Sequence, residues 1–251
     1  MIDSEFEGAI AIVTGGSAGI GLATAQALSA RGAIVAVLDR DRPENEAGIR
    51  HFRVDVVNDD EVRDAVAEIG GLHGRIDILV NNAGVSHVGT VEDGTMDEWH
   101  RLFDINVLGY VRAARAALPH LRRSGQGSIV NVASCAAASG LRNRALYSTT
   151  KGAVEALTRA MAADLVAEGI RVNAVNPGTV DTPFMEKLAQ QAPDPAVRRQ
   201  QFHDRQPTGF MVAPDEVARA ILYLASPAAR STTGSVLTVD GGISPLRIFE
   251  A

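Results

Sequence analysis

The chain has 251 residues, 46% of them hydrophobic and 22% charged, a balance that excludes a disordered or fibrous protein and suffices to bury a large core. A formal net charge of −6 argues against nucleic acid or an anionic membrane as the main partner, and the single cysteine, Cys135, excludes an intrachain disulfide and a cysteine-based metal site. No apolar run approaches the roughly 18 residues of a membrane span, and the acidic first residues lack the apolar core of a secretory signal, so a cytoplasmic location is expected.

In chain order, Ala9 to Val13 reads as a first strand. It runs straight into Thr14-Gly15-Gly16-Ser17-Ala18-Gly19-Ile20-Gly21, which opens a helix expected from about Ile20 to Ala30 and stopped by Gly32. Glycines at such a turn permit close backbone approach, and the amides at the helix start favour a diphosphate. Alone, the G-x-x-x-G-x-G spacing fits a tight turn as well. Ile34 to Leu38 is the second strand, closed by Asp39. An acid there can accept hydrogen bonds from both adenosine ribose hydroxyls and repels a 2′-phosphate. Ala18 adds no basic group, so NAD is favoured over NADP, with Arg40 as the counter-signal. Phe52 to Val54 is a short third strand. Asp55, with Val56 beside it, is placed at the adenine edge, a solvated turn acid being the alternative.

Ile78 to Val80 is the fourth strand, followed by Asn81-Asn82-Ala83-Gly84. Asparagine side chains bond turn backbone and Gly84 leaves room for a flat ligand, although an ordinary turn would read the same. His87 either faces a substrate or lies in a solvated loop. A long helix from about Thr95 to Leu121 carries Trp99, Leu102, Phe103, Leu108, Val111 and Leu118 at roughly helical spacing. Ile129 to Val132 leads to Ser134, whose hydroxyl can polarise a carbonyl oxygen or cap a helix, and to Cys135, read as a small buried residue. A helix from about Leu146 to Ala167 puts Val154, Leu157, Met161 and Leu165 on one face and ends near Gly169. Tyr147 and Lys151, four apart, share a face of it. A lysine ammonium beside a phenol lowers its pKa from about 10, so such a tyrosine can exchange a proton with an alcohol near neutral pH.

Ile170 to Val175 and Val236 to Val239 complete the strands. Between them, 178–213 is polar, carries Pro183, Pro193, Pro195 and Pro207, and lacks a strand. It reads as a substrate-covering segment or as a surface insertion without a role. The alternation of strands with helices predicts one α/β domain over 1–251, a parallel seven-stranded sheet covered by helices on both faces. The tail Ile243-Ser-Pro-Leu-Arg-Ile-Phe249 is apolar enough to be expected across a subunit interface.

Together these motifs resemble the short-chain dehydrogenase/reductase family in its single-domain form, from Ile10 to Gly242. The resemblance rests on the glycine turn, Asn81-Asn-Ala-Gly84, Asn106, Ser134, Tyr147-Ser-Thr-Thr-Lys151, Pro177-Gly178-Thr179 and Asp240-Gly241-Gly242. It implies a doubly wound Rossmann-type sheet, NAD as cofactor, no metal, and a homodimer or homotetramer. It assigns Tyr147 as general acid/base and Ser134 as the residue orienting the substrate oxygen. Lys151 would bind the nicotinamide ribose and lower the tyrosine pKa, and Asn106 would hold a water relaying protons to Lys151. Gly15, Ser17, Gly19, Ile20, Gly21, Asp39, Asp55, Val56, Asn82, Ala83, Gly84, Tyr147, Lys151, Pro177, Gly178, Thr179 and Thr182 would contact the cofactor.

The stretch 143–151, the run 177–183 and Arg205-Gln206-Pro207-Thr208-Gly209 are similar to a narrower subgroup. It includes the cytosolic type of 3-hydroxybutyrate dehydrogenase and 2-keto-3-deoxy-L-fuconate dehydrogenases. The resemblance implies a small hydroxy acid or acidic sugar, with Arg144 and Arg205 as carboxylate partners, unless both make surface or intersubunit salt bridges. Phe210-Met211 and Leu188 depart from the subgroup and predict a more apolar pocket mouth. A neutral sugar or polyol dehydrogenase, a 3-oxoacyl-thioester reductase and a catalytically silent dinucleotide-sensing regulator remain as alternatives.

Overall fold

The computed structural model describes residues 4–42 and 48–246. Among them the strands are β1 (Ile10–Thr14), β2 (Ile34–Asp39), β3 (Ile49–Arg53), β4 (Ile78–Asn81), β5 (Ser128–Val132), β6 (Arg171–Pro177) and β7 (Val236–Val239). All pair in parallel, in the order β3-β2-β1-β4-β5-β6-β7. The helices are α1 (Gly19–Ser29), α2 (Asp59–His73), α3 (Met96–Phe103), α4 (Gly109–Ser124), α5 (Ala145–Leu165), α6 (Pro183–Gln190), α7 (Pro195–His203) and α8 (Pro214–Ala225). This is the expected doubly wound Rossmann-type sheet in a single domain.

The sheet is buried on both faces, which explains strands that are apolar throughout. Ala11, Val13, Val35 and Val37 point to one side, against Leu28 of α1 and Val217 and Ile221 of α8. Ile10, Ile12, Ala36, Leu38 and Leu79 point to the other, against Val62, Val66 and Ile69 of α2 and Ala113, Ala117 and Leu121 of α4. β3 begins three residues before the expected run. It is an edge strand, so His51 and Phe52 are half-exposed while only Ile49 is buried.

The long helix expected from Thr95 is one helical path with a π turn at Asp104–Leu108 between α3 and α4. Thr95 caps it through a reciprocal capping box with Glu98. Helices α2, α6, α7 and α8 are additions to the elements read from the sequence. α2 carries its own punctuation: Asn58 accepts from the amides of Asp60 and Glu61, and Gly74 ends it in the left-handed region. α6, α7 and α8 each begin with a proline in the first turn, where its missing N–H costs no hydrogen bond. The 178–213 stretch is therefore two short helices, tied to the body by the Val180–Val212 bridge. Of the apolar tail, residues 247–249 lie outside the described residues.

Leu121 is fully buried between α4 and the sheet. Leu121→Ala is expected to cost about 2–5 kcal/mol and lower the urea midpoint without changing the slope, measured by circular dichroism.

Candidate active site

On either side of β1 the chain crosses to neighbouring strands in opposite directions, so the loops at the strand C-termini part there. The resulting cleft has a volume of about 810 Å3. Its floor is built by the glycine turn. Gly15 has φ +64, and a Cβ on it would come within 2.7 Å of Ala83 Cα. A Cβ on Gly21 would come within 2.2 Å of the Gly15 carbonyl. Asn82 braces this turn. Its Nδ2 donates to the Thr14 and Gly15 carbonyls at 3.1 and 2.7 Å, and the Thr14 hydroxyl accepts from the Asn82 and Ala83 amides. Ala18 gives α1 no side-chain cap, and its first turn has no acid. The amides there are left for another acceptor, a cradle of the kind that fits a diphosphate.

Asp39 lines the cleft at the end of β2. Its carboxylate accepts from the Ser17 amide at 3.0 Å and the Asp41 amide at 3.1 Å, one per oxygen, which leaves acceptor capacity on both. Arg40 pairs with Asp55 at 3.9 Å. The Ser17 hydroxyl donates to the Asp41 carbonyl. Ser17 and Gly21 support the turn from behind, whereas Gly15, Gly19, Ile20, Asp55, Val56, Asn82, Ala83, Gly84, Pro177, Gly178, Thr179 and Thr182 lie on the cleft wall.

The opposite wall comes from β5 and α5. A buried ladder fixes α5 on the sheet: Asn81 Nδ2 donates to Asn131 Oδ1 and Asn131 Nδ2 to Thr158 Oγ1, each at 2.9 Å. This brings Tyr147 and Lys151 to the cleft beside Ser134. The Ser134 amide donates to Asn176 Oδ1 at 3.2 Å, and Asn176 in turn donates to Glu155 at 2.7 Å. Burial pushes the Tyr147 phenol up from its ordinary value, and the nearby Ser134 and the charge of Arg144 offset this only in part. Lys151 lies on the same wall. Its ammonium donates to the Val132 carbonyl at 2.8 Å and lies 5.9 Å from the Tyr147 ring centre. Burial lowers Lys151 to about 8. The Arg144 contribution to Tyr147 is absent from the sequence reading, although its three-residue spacing from Tyr147 contained it.

Asn106 sits behind the wall, fully buried in the π turn. Its side chain accepts from the Val85 amide at 2.8 Å and donates to the Val85 carbonyl and to Thr150 Oγ1. A π turn shifts the hydrogen-bond ladder by one residue, a local irregularity frequent at functional sites. No residue in 104–108 announces it in the sequence.

Arg144, half-buried, donates to Ser86 Oγ and to the His87 carbonyl, both at 3.0 Å. Arg205 lies across the cleft from α5 against the Phe202 ring. Burial disfavours the charge of Arg205, and repulsion from Arg144 and Arg198 adds to it. Among the described residues neither Arg144 nor Arg205 has a carboxylate partner, unlike Arg199, which pairs with Asp181 and Glu186. His87 lines the cleft with its Nδ1 buried and unpartnered. Phe184, Met185 and Leu188 form an apolar rim. Of the predicted apolar residues, Leu188 lines the cleft. Met211 is instead buried with Phe202 and Ala189 in a small separate core, and Phe210 is exposed.

A family model described as enoyl-(acyl carrier protein) reductase matches residues 15–244. Cis-4-hydroxycyclohexanecarboxylate dehydrogenase of Sinomonas cyclohexanicum is 39% identical, covering 93% of this chain and 95% of that protein. 2-Keto-3-deoxy-L-fuconate dehydrogenase of Xanthomonas campestris is 37% identical, covering 96% and 82%. The ligand-free aldohexose dehydrogenase of Thermoplasma acidophilum superposes with a TM-score of 0.92 at 37% identity, over 99% of this chain and all of that one. The L-sorbose reductase of Gluconobacter frateurii, complexed with NADPH and L-sorbose, gives 0.90 at 29% identity, over 96% and 98%.

Asn82→Ala strips the Thr14 and Gly15 carbonyls of their partner. It is expected to lower stability by about 1–3 kcal/mol in urea titration, whereas an exposed control such as Leu72→Ala stays within about 0.5 kcal/mol.

Proposed function

Because the chain belongs to the short-chain dehydrogenase/reductase family, we propose that it is an NAD-dependent dehydrogenase interconverting a secondary alcohol and a ketone, with a small hydroxy acid or acidic sugar as substrate. The observation that carries this reading is one wall of the cleft. There Ser134, Tyr147 and Lys151 line one space, and Arg144 and Arg205 face it without carboxylate partners among the described residues.

A nicotinamide cofactor held in this cleft would supply the hydride chemistry at the carbinol carbon. Tyr147 takes the hydroxyl proton in oxidation and gives it back in reduction. Ser134 holds the substrate oxygen in line with that phenol and supports the charge that develops on it. Lys151 keeps a positive charge beside the nicotinamide ribose site. Asn106, on the π turn, holds a water that relays protons to Lys151. Pro177, Gly178, Thr179 and Thr182 line the nicotinamide end, and Asp39 and Asp55 the adenosine end. Residues 178–213 cover the substrate, with α6 supplying the apolar rim.

Asp39 supports NAD. Its two free acceptor sites suit a ribose diol and its charge opposes a phosphate, while Arg40 is engaged with Asp55. The half-buried, unpaired Arg144 supports an acid, since a guanidinium in such a place gains most from a bidentate carboxylate. A neutral sugar is the second reading, favoured by the likeness to an aldohexose dehydrogenase and an L-sorbose reductase.

Two outcomes test the proposal. In initial-rate assays of NADH formation, a pool of hydroxy acids and sugar acids is expected to turn over at least about tenfold faster than neutral sugars and polyols, and Arg144→Leu to remove that preference. Activity confined to the neutral pool favours the second reading. Asp39→Ala is expected to lower kcat/KM for NAD by about tenfold or more and raise it for NADP, read from the two cofactor titrations.

A further inference from the structure

Tyr110 lies on α4, two residues beyond the π segment, and takes no part in the roles above. It is 1% exposed, packed against Ala133 and Val154. Its hydroxyl donates to the Val132 carbonyl at 3.0 Å, the same oxygen that accepts from Lys151 Nζ at 2.8 Å. Nζ also lies 3.5 Å from the Tyr110 hydroxyl oxygen and 5.5 Å from the ring centre. Groups from α4, α5 and β5 thus close a triangle around one buried ammonium.

We propose that Tyr110 is a positioning residue that holds Lys151 as an ammonium against the Val132 carbonyl, and so keeps the lysine charged at the cleft wall. The proposal rests on the reading of Lys151 given above. A phenol has one proton, and Tyr110 spends it on Val132. Toward Lys151 it can therefore act only as an acceptor, which favours the charged form of the lysine. Burial holds the Tyr110 phenol itself far above its ordinary value, so it stays neutral and cannot compete for the charge.

The surroundings offer little else. The titratable side chains facing Nζ are Tyr110 from α4 and Tyr147 from α5 itself. β5 contributes only a carbonyl, and the loop after β4 approaches with Gly84, which has no side chain. Burial works against the ammonium, and among the described residues no carboxylate offsets it. With Lys151 already near 8, the loss of one acceptor changes its charge in the range where the enzyme would work.

The chain has two lysines, Lys151 and Lys187, so both titrations can be read directly by NMR after labelling lysine with carbon-13 at Cε. The Lys151 signal is the one lost in Lys151→Met. Tyr110→Phe keeps the ring and removes one oxygen. It is expected to lower the Lys151 midpoint by roughly half a pH unit and leave Lys187 in place. The high-pH limb of kcat/KM for the best substrate of the acid pool is expected to move down by the same amount. An unmoved Lys151 midpoint overturns the inference. A midpoint that falls while the kinetic limb stays fixed upholds Tyr110 as the partner of Lys151 but removes Lys151 from the proposed chemistry.

Discussion

The reversal of strand order at β1 is the constraint from which the rest follows. Right-handed crossovers carry the chain from β1 through β2 to β3 on one side and from β4 through β5 to β7 on the other. Helices α1 and α8 fall on one face and α2 and α4 on the opposite face. The loops at the C-terminal edge must then diverge, and the cleft is the space between them. The apolar strands bury both faces, so polar chemistry has nowhere to go except this edge. Asp39, Asn82, Ser134 and Pro177 stand at or just after the ends of β2, β4, β5 and β6, and all but the helix-borne residues of the site follow from that rule.

The same edge is where the structure tolerates its costs. The uncapped α1, the buried Lys151 and the unpaired Arg144 and Arg205 are each unfavourable in isolation. They are held by hydrogen-bonded groups around them. Asn82 locks the glycine turn, the Asn81–Asn131–Thr158 ladder locks α5, and the Asn176–Glu155 pair locks the backbone of Ser134. A dinucleotide, with its diphosphate on the α1 amides and a ribose on Lys151, and a carboxylate on the arginines are the partners that would relieve the three costs. The proposed function is the one that uses all of them at once.

Much of this was legible in the residues. Period-2 burial is invisible in a two-sided sheet, yet runs such as Ile78 to Val80 identified themselves by being apolar throughout, and Thr95 and Gly169 punctuated their helices as expected. The missed helices have a common cause. Pro183 and Pro195 count against regular structure in the 178–213 stretch, whereas in the first turn of a helix they are starters, as is Pro214 for α8. The π turn was unreadable, because one extra residue in a helical ladder leaves no mark on composition or spacing. Contacts across elements were equally hidden. That Asn106 would bond Val85, or that Met211 would turn inward to Phe202 while Leu188 faced the cleft, depends on how helices dock and not on any local pattern. The Tyr147–Lys151 spacing was read correctly as one face, whereas the bond of the ammonium to the Val132 carbonyl depends on how α5 docks on β5 and had no local signal.

The claim at the centre of the account is that Tyr147 moves the proton. Its most direct test is Tyr147→Phe, with NADH binding followed by fluorescence and turnover by NADH formation on the same preparation. The account predicts NADH binding within about threefold of the parent protein and turnover reduced by about a thousandfold or more, since the phenyl ring preserves the cleft wall and loses only the transferable proton. Turnover close to that of the parent protein would contradict it, and would leave the chain as a dinucleotide-binding protein whose chemistry, if any, lies with other residues.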